Sequence, residues 1–203
     1  GGGLNNAFVC IDKHVLEGKG QKIAMIWEGK NGEEEKYTFE EMKSQTDKFA
    51  NVLKSIGIEK GDRVFVFMDR LPECYFSVFG GLKIGAIVGP LFSAFGPDPV
   101  KDRMSDSGAK VLVTQPELRK KIGGILKELP DLEKIIVVNK NGREENPLVG
   151  SDLSYEELMS NAEPIESIEN TSQYDYSIMH YTSGTTGKPK GALHRHQSII
   201  QQF

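Results

Sequence analysis

Hydrophobic residues along this chain fall into two alternating rhythms. Val64-Phe65-Val66-Phe67-Met68 runs with almost no polar alternation, as expected for a strand covered by helices on both faces of a parallel sheet. Ahead of it, Met42, Phe49, Val52, Leu53 and Ile56 fall at spacings of three, four and seven, which predicts one buried helix face. That helix has a readable start and stop. Thr38 and Glu41 form a capping box, in which the Thr38 hydroxyl accepts from the Glu41 amide and the Glu41 carboxylate reaches back, and Gly57 supplies a left-handed end.

The same alternation continues. Pro72 suits the first turn of a helix carrying Tyr75, Val78, Phe79 and Leu82, with Gly85 ending it. Ile87-Val88, Val111-Leu112-Val113 and Ile135-Ile136-Val137-Val138 read as strands, separated by helices from about Pro99 to Asp106 and from Glu117 to Leu129. Ile23 to Trp27 is a further strand candidate, followed by a polar turn from Gly29 to Glu35. Asn139 to Leu153 is a polar surface excursion, a second capping box from Ser154 to Glu157 opens a short helix, and Tyr176 to Tyr181 closes the series as a strand. Strands alternating with helices predict an α/β fold, a doubly wound and mostly parallel sheet flanked by helices.

Composition narrows the class. With 38% hydrophobic and 27% charged residues, the chain has the make-up of a soluble globular protein, and its net charge of -4 offers no electrostatic footprint for nucleic acid or an anionic membrane. Lys83 interrupts the longest apolar stretch, Tyr75 to Phe92, and no segment has signal-peptide layout, so a cytoplasmic location is expected. Cys10 and Cys74 show no CxxC and no matching histidine cluster, which leaves no metal site to assign and reads as two small buried hydrophobes in a reducing setting.

The chemistry is concentrated in Tyr181-Thr182-Ser183-Gly184-Thr185-Thr186-Gly187-Lys188-Pro189-Lys190-Gly191. Three glycines let backbone amides approach an anion, four hydroxyls can donate to phosphate oxygens, and Lys188 and Lys190 bring positive charge. No Asp or Glu occurs from Tyr176 to Phe203. Such a loop suits a polyphosphate. It is not a Walker A loop, since the glycine spacing is too short and Pro189 stands where the magnesium-binding Ser or Thr belongs, nor is it GxGxxG.

This segment closely resembles the phosphate-binding signature of the adenylate-forming superfamily, which includes acyl-CoA synthetases, luciferases and the adenylation domains of peptide synthetases. The following Ala192-Leu193-His194 looks more like acetyl- and other short-chain acyl-CoA synthetases. Tyr37-Thr38-Phe39, Lys60-Gly61-Asp62-Arg63-Val64, Pro72-Glu73 and Lys83-Ile84-Gly85-Ala86 occur in that family's order and spacing. The resemblance implies that a carboxylate, MgATP and coenzyme A are used to make acyl-AMP and then acyl-CoA, with acetate the favoured acid. It places the β- and γ-phosphates of ATP on Thr182, Ser183, Gly184, Thr185, Thr186, Gly187, Lys188, Pro189 and Lys190. It also directs attention to Arg119 and Lys120, with Lys121 beside them, as contacts for CoA phosphates; the alternative is a solvated basic helix face.

His180, His194 and His196 lie close to the loop but lack an identifiable carboxylate partner, and no catalytic residue is assigned among them. Gly1 to Gly3 read as a trimmed start and Ile199 to Phe203 as a helix still in progress. Residues 1–203 are accordingly expected to be part of the large N-terminal domain of an adenylate-forming enzyme, lacking the rest of that domain and the C-terminal domain, and inactive in isolation. The alternatives are a ligase for medium-chain, long-chain or aryl acids, a domain that feeds a carrier protein, or a non-catalytic nucleotide-binding module.

Overall fold

The computed structural model describes residues 3–142, 144–182 and 187–200. Two strands near the start, β1 (Ile23–Glu28) and β2 (Glu34–Thr38), pair as an antiparallel hairpin beside the main sheet. The polar turn expected over residues 29–35 is therefore shorter, because Glu34 and Glu35 already belong to the ladder.

Helix α1 (Phe39–Ser55) begins at the capping box read from the sequence, with Thr38 and Glu41 satisfying each other's amides. Gly57 follows at φ 88°. The main sheet contains β3 (Arg63–Phe67), β4 (Ile87–Leu91), β5 (Val111–Thr114), β6 (Lys134–Val137), β7 (Leu153–Ser154), β8 (Tyr176–Thr182) and β9 (Lys190–Arg195). Its order is β7-β6-β5-β3-β4-β8-β9, parallel throughout except for the antiparallel pair β8 and β9. Between the strands run α2 (Pro72–Lys83), α3 (Pro97–Ser107), α4 (Pro116–Lys121) and α5 (Tyr155–Asn161), and α6 (His196–Ile200) follows β9.

Strand β3 shows why the sheet is covered on both sides. Val64 and Val66 join one apolar cluster with Phe49, Leu53 and Leu82 from α1 and α2, while Phe65 and Phe67 join another with Val100 and Met104 from α3. Alternate residues point to opposite faces, so an uninterrupted apolar run is what two covered faces require. Gly89 stands beside Phe65 in the parallel register, and a Cβ there would lie 2.3 Å from the Phe65 ring. The bulky residue on β3 is accommodated by the missing side chain on β4.

Three expectations are corrected in detail. The helix from Glu117 to Leu129 is broken: α4 stops at Lys121 and a 3-10 segment runs from Gly123 to Glu128. Gly123 and Gly124 weaken the α-helix, and three residues per turn align buried Ile122 and Ile125. The second capping box is only half formed, since Ser154 accepts from the Glu157 amide while its hydroxyl lies 3.4 Å from Glu156. Cys10 and Cys74 are partly rather than fully buried, and both are free thiols; burial pushes the Cys74 thiol up to about 11. Among the described residues no helix is long and apolar enough to cross a membrane.

Candidate phosphate-binding site

The hydroxyl- and glycine-rich segment joins β8 to β9, so it is the turn of a hairpin rather than a strand-to-helix loop. Since β8 runs parallel to β4, the turn lies at the carboxyl edge of the sheet, where open α/β sheets bind ligands. Ser183, Gly184, Thr185 and Thr186 lie outside the described residues. The flanks are described. Thr182 ends β8 and Lys190 starts β9 directly opposite it, so a hydroxyl and an ammonium face the same opening from the two sides. Gly187, Lys188 and Lys190 are exposed, and Pro189 is partly buried. Gly187 has φ 87°, with nothing within 4 Å of where a Cβ would be. Glycine is favoured there by the backbone conformation, not by lack of space.

Neither Lys188 nor Lys190 forms an ion pair among the described residues. With no acid between Tyr176 and Phe203, both charges are available to an anion. An opening flanked by hydroxyl and ammonium donors can hold several phosphate oxygens, and each charge-assisted hydrogen bond contributes about 1.5–3 kcal/mol.

Tyr181 fixes the hairpin's root. Its ring lies across Gly191 on the facing strand, where a Cβ would come within 3.3 Å of the ring. Its hydroxyl reaches two acceptors on α3, Asp106 Oδ2 at 2.7 Å and the Arg103 carbonyl at 3.0 Å, which share its single proton. Burial, followed by the hydrogen bond to Asp106, raises the phenol pKa above its usual value, so the phenol stays protonated. The Arg103 guanidinium covers the Phe95 ring at 4.3 Å and the Tyr181 ring at 5.7 Å. Nothing in the sequence connects Tyr181 with residues 75 to 78 positions earlier, and reading the loop alone missed this tether. Tyr181→Phe removes a hydrogen bond worth about 1 kcal/mol, which predicts a loss of about that size in unfolding free energy. Urea titration of the two proteins checks it; unchanged stability would contradict the tether.

The other candidates lie elsewhere. Arg119 is buried against Asp152, donating from Nη2 to Oδ1 at 3.1 Å, while Nε sits 2.9 Å from Oδ2 at an angle too bent for a hydrogen bond. Lys120 is exposed and pairs with Glu144 at 2.8 Å. A CoA phosphate reaching either residue would compete with a carboxylate already in place. His180 and His194 face each other across the hairpin with ring centroids 5.6 Å apart, and burial lowers the His180 pKa. His196 is buried at the opposite end of β9. At the same carboxyl edge as the hairpin turn, a cleft of about 470 Å³ is lined by Trp27, Lys30, Asp69, Arg70 and Phe92. Its cations and aromatic rings come from separate strand ends, a grouping that no local motif announces.

A family model described as "AMP-binding enzyme" matches residues 12–203. The chain is 43% identical to an acetyl-coenzyme A synthetase of Bacillus subtilis over all of its own length and 34% of that protein. It is 39% identical to an acetyl-coenzyme A synthetase of Rubrobacter xylanophilus over 96% of its length and 32% of that protein. The chain thus spans about a third of these curated relatives. Among solved structures, an acyl-CoA synthetase of Brucella canis superposes with a TM-score of 0.86 at 28% identity, covering 98% of this chain and 34% of that one. An anthranilate CoA ligase solved with anthranoyl-AMP gives a TM-score of 0.87 at 24% identity, over 98% of this chain and 36% of that one, a likeness of fold alone.

Proposed function

Since this chain belongs to the AMP-binding enzyme family, we propose that it is the phosphate-binding part of the N-terminal domain of an AMP-forming carboxylate-CoA ligase acting on a short acid, acetate foremost. The observation that carries the reading is the β8–β9 hairpin. Its turn opens at the carboxyl edge with Thr182 and Lys190 face to face, and Lys188 unpaired among the described residues. Hydroxyls and lysines without nearby acids are what a triphosphate requires.

In this reading MgATP is a substrate. A carboxylate oxygen attacks the α-phosphorus, the bond from that phosphorus to the bridging oxygen breaks, and pyrophosphate leaves. The CoA sulfur, having lost its proton, then attacks the acyl carbonyl and displaces AMP. This chain's residues act chiefly in the first step: Thr182 to Lys190 hold the β- and γ-phosphates and stabilise the charge that develops on departing pyrophosphate. CoA contacts by Arg119 and Lys120 are retained only on condition that Asp152 and Glu144 exchange partners when CoA binds. The free thiols and a substrate pool of ATP and CoA support a cytoplasmic setting.

The test is the identity of the nucleotide released. The full-length protein, given acetate, MgATP and CoA, is expected to form acetyl-CoA and AMP in equal amounts. Release of ADP would contradict the mechanism, and preference for a longer or aromatic acid would transfer the assignment to another ligase of the family.

A further inference from the structure

Far from the phosphate loop, the end of β9 is bound to the beginning of the chain. His196 has no exposed surface, and its Nδ1 accepts from the backbone amide of Asn6 at 3.1 Å, across 190 residues of sequence. The same amino-terminal segment is fastened at several points. Asn5 Nδ2 donates to the Leu82 carbonyl at 2.7 Å, Leu4 N to the Thr171 carbonyl at 2.7 Å, and Asn6 Nδ2 to Ser177 Oγ at 3.4 Å. The Ser177 hydroxyl in turn donates to the His194 carbonyl at 3.1 Å, which brings the contact onto β9 itself.

These bonds fix the protonation state of the ring. Because Nδ1 accepts from an amide, the neutral tautomer carries its proton on Nε2, and Nε2 is buried without a partner among the described residues. A second proton would have to sit on Nδ1, directly against the Asn6 N–H. The imidazolium could therefore exist only after the ring and the Asn6 amide separate. The charged groups that face the ring are Asp175, which favours protonation, and Lys60, which opposes it, and they pair with each other at 2.7 Å.

We propose that His196 is a positioning residue for the phosphate loop: its neutral imidazole locks the amino-terminal segment onto the base of the β8–β9 hairpin, and its protonation releases that lock. This rests on the reading of the hairpin turn as the ATP phosphate site. His196 lies six residues beyond Lys190, roughly 20 Å along an extended strand, so it touches no substrate and acts only by holding the register of β9 against β8. Burial, the larger influence, lowers its pKa from 6.5 to about 4. A depressed histidine contributes stability that is complete above its free value and is lost as pH falls from there towards the folded one. From pH 7.5 to pH 5 these two values imply that opening of the lock becomes more favourable by about thirtyfold.

The test is hydrogen exchange across residues 190–195 of the full-length protein, with β3 as internal reference and correction for intrinsic rates. Two variants accompany it: H196N, whose Oδ1 can accept from the Asn6 amide but does not titrate, and H196L, which fills the space without an acceptor. Wild-type β9 is expected to lose about thirtyfold in protection between pH 7.5 and 5, while β3 holds. H196N should stay flat over that range, and H196L should be poorly protected at both values. An acid loss shared equally by wild type and H196N, or wild-type protection in H196L, would overturn the lock. ATP KM measured in parallel separates the two ideas. Its rise with exchange, while CoA KM holds, supports the positioning role. Exchange that changes as described with ATP KM constant overturns it at the active site.

Discussion

Lys190→Ala in the full-length protein should slow acyl-AMP formation by roughly 10²–10³, the usual cost of removing one group that stabilises developing negative charge. Thioester formation from supplied acyl-AMP should fall far less, because pyrophosphate has left before CoA reacts. The asymmetry follows from the hairpin. Lys190 begins β9 opposite Thr182, exposed and with no carboxylate partner among the described residues, so its charge has no structural duty to lose. Little stability should therefore change. Equal losses in both half-reactions would indicate a folding role, and no loss in either would remove the residue from the site.

Lys83→Ala should have the largest effect on stability, about 3–5 kcal/mol, the range for removing one partner of a buried ion pair. The Lys83 ammonium has no exposed surface and lies 3.0 Å from Asp12 and 2.5 Å from Asp47, both also buried. Lys43 approaches the same two carboxylates at 3.7 Å and 2.5 Å. Together they pin the π-helical turn Phe8–Asp12, α1 and the end of α2 to one another. Without the ammonium, two carboxylates face each other in a region where burial already raises the Asp12 pKa. A carboxyl raised by burial is more stable when protonated, so the deficit of the variant should shrink on acidification as Asp12 takes up a proton. Urea titrations of both proteins at neutral and mildly acidic pH measure it. A deficit below about 1 kcal/mol, as for a surface ion pair, would contradict the buried arrangement.

Lys83 also marks where reading the sequence reaches its limit. In the sequence it is one charge breaking an apolar run, and a solvated position is its ordinary interpretation. Its partners lie 71 and 36 residues away and follow no helical spacing to it. Signals of short range were legible: the Thr38 and Glu41 capping box, the helix face through Phe49 and Leu53, and the two-faced run of β3 all stand as read. Strand β9 was not, because Gly191 and Ala192 are weak strand residues and only pairing with β8 organises them. The glycine pair after Ile122 was an available warning that the helix there would break.

The loop stands out in the sequence by composition alone, with glycines, hydroxyls and lysines and no acids, and its role in holding phosphate remains the proposal. Its context was not legible there. That it turns between antiparallel strands, rooted by Tyr181 on α3 and tied at the far end through His196, depends on contacts 75 to 190 residues apart. The same holds for Arg119. A basic run on a predicted helix suggests a phosphate, and only the fold shows Asp152 already engaged with it.

The most direct measurement is exchange of labelled pyrophosphate into ATP by the full-length protein in the absence of CoA. If the β8–β9 turn holds the β- and γ-phosphates of ATP during adenylation, exchange will require acetate and magnesium, proceed without CoA, and drop by roughly 10²–10³ in Lys190→Ala. Exchange that is absent without CoA, or that is unaffected by Lys190→Ala, would contradict the account.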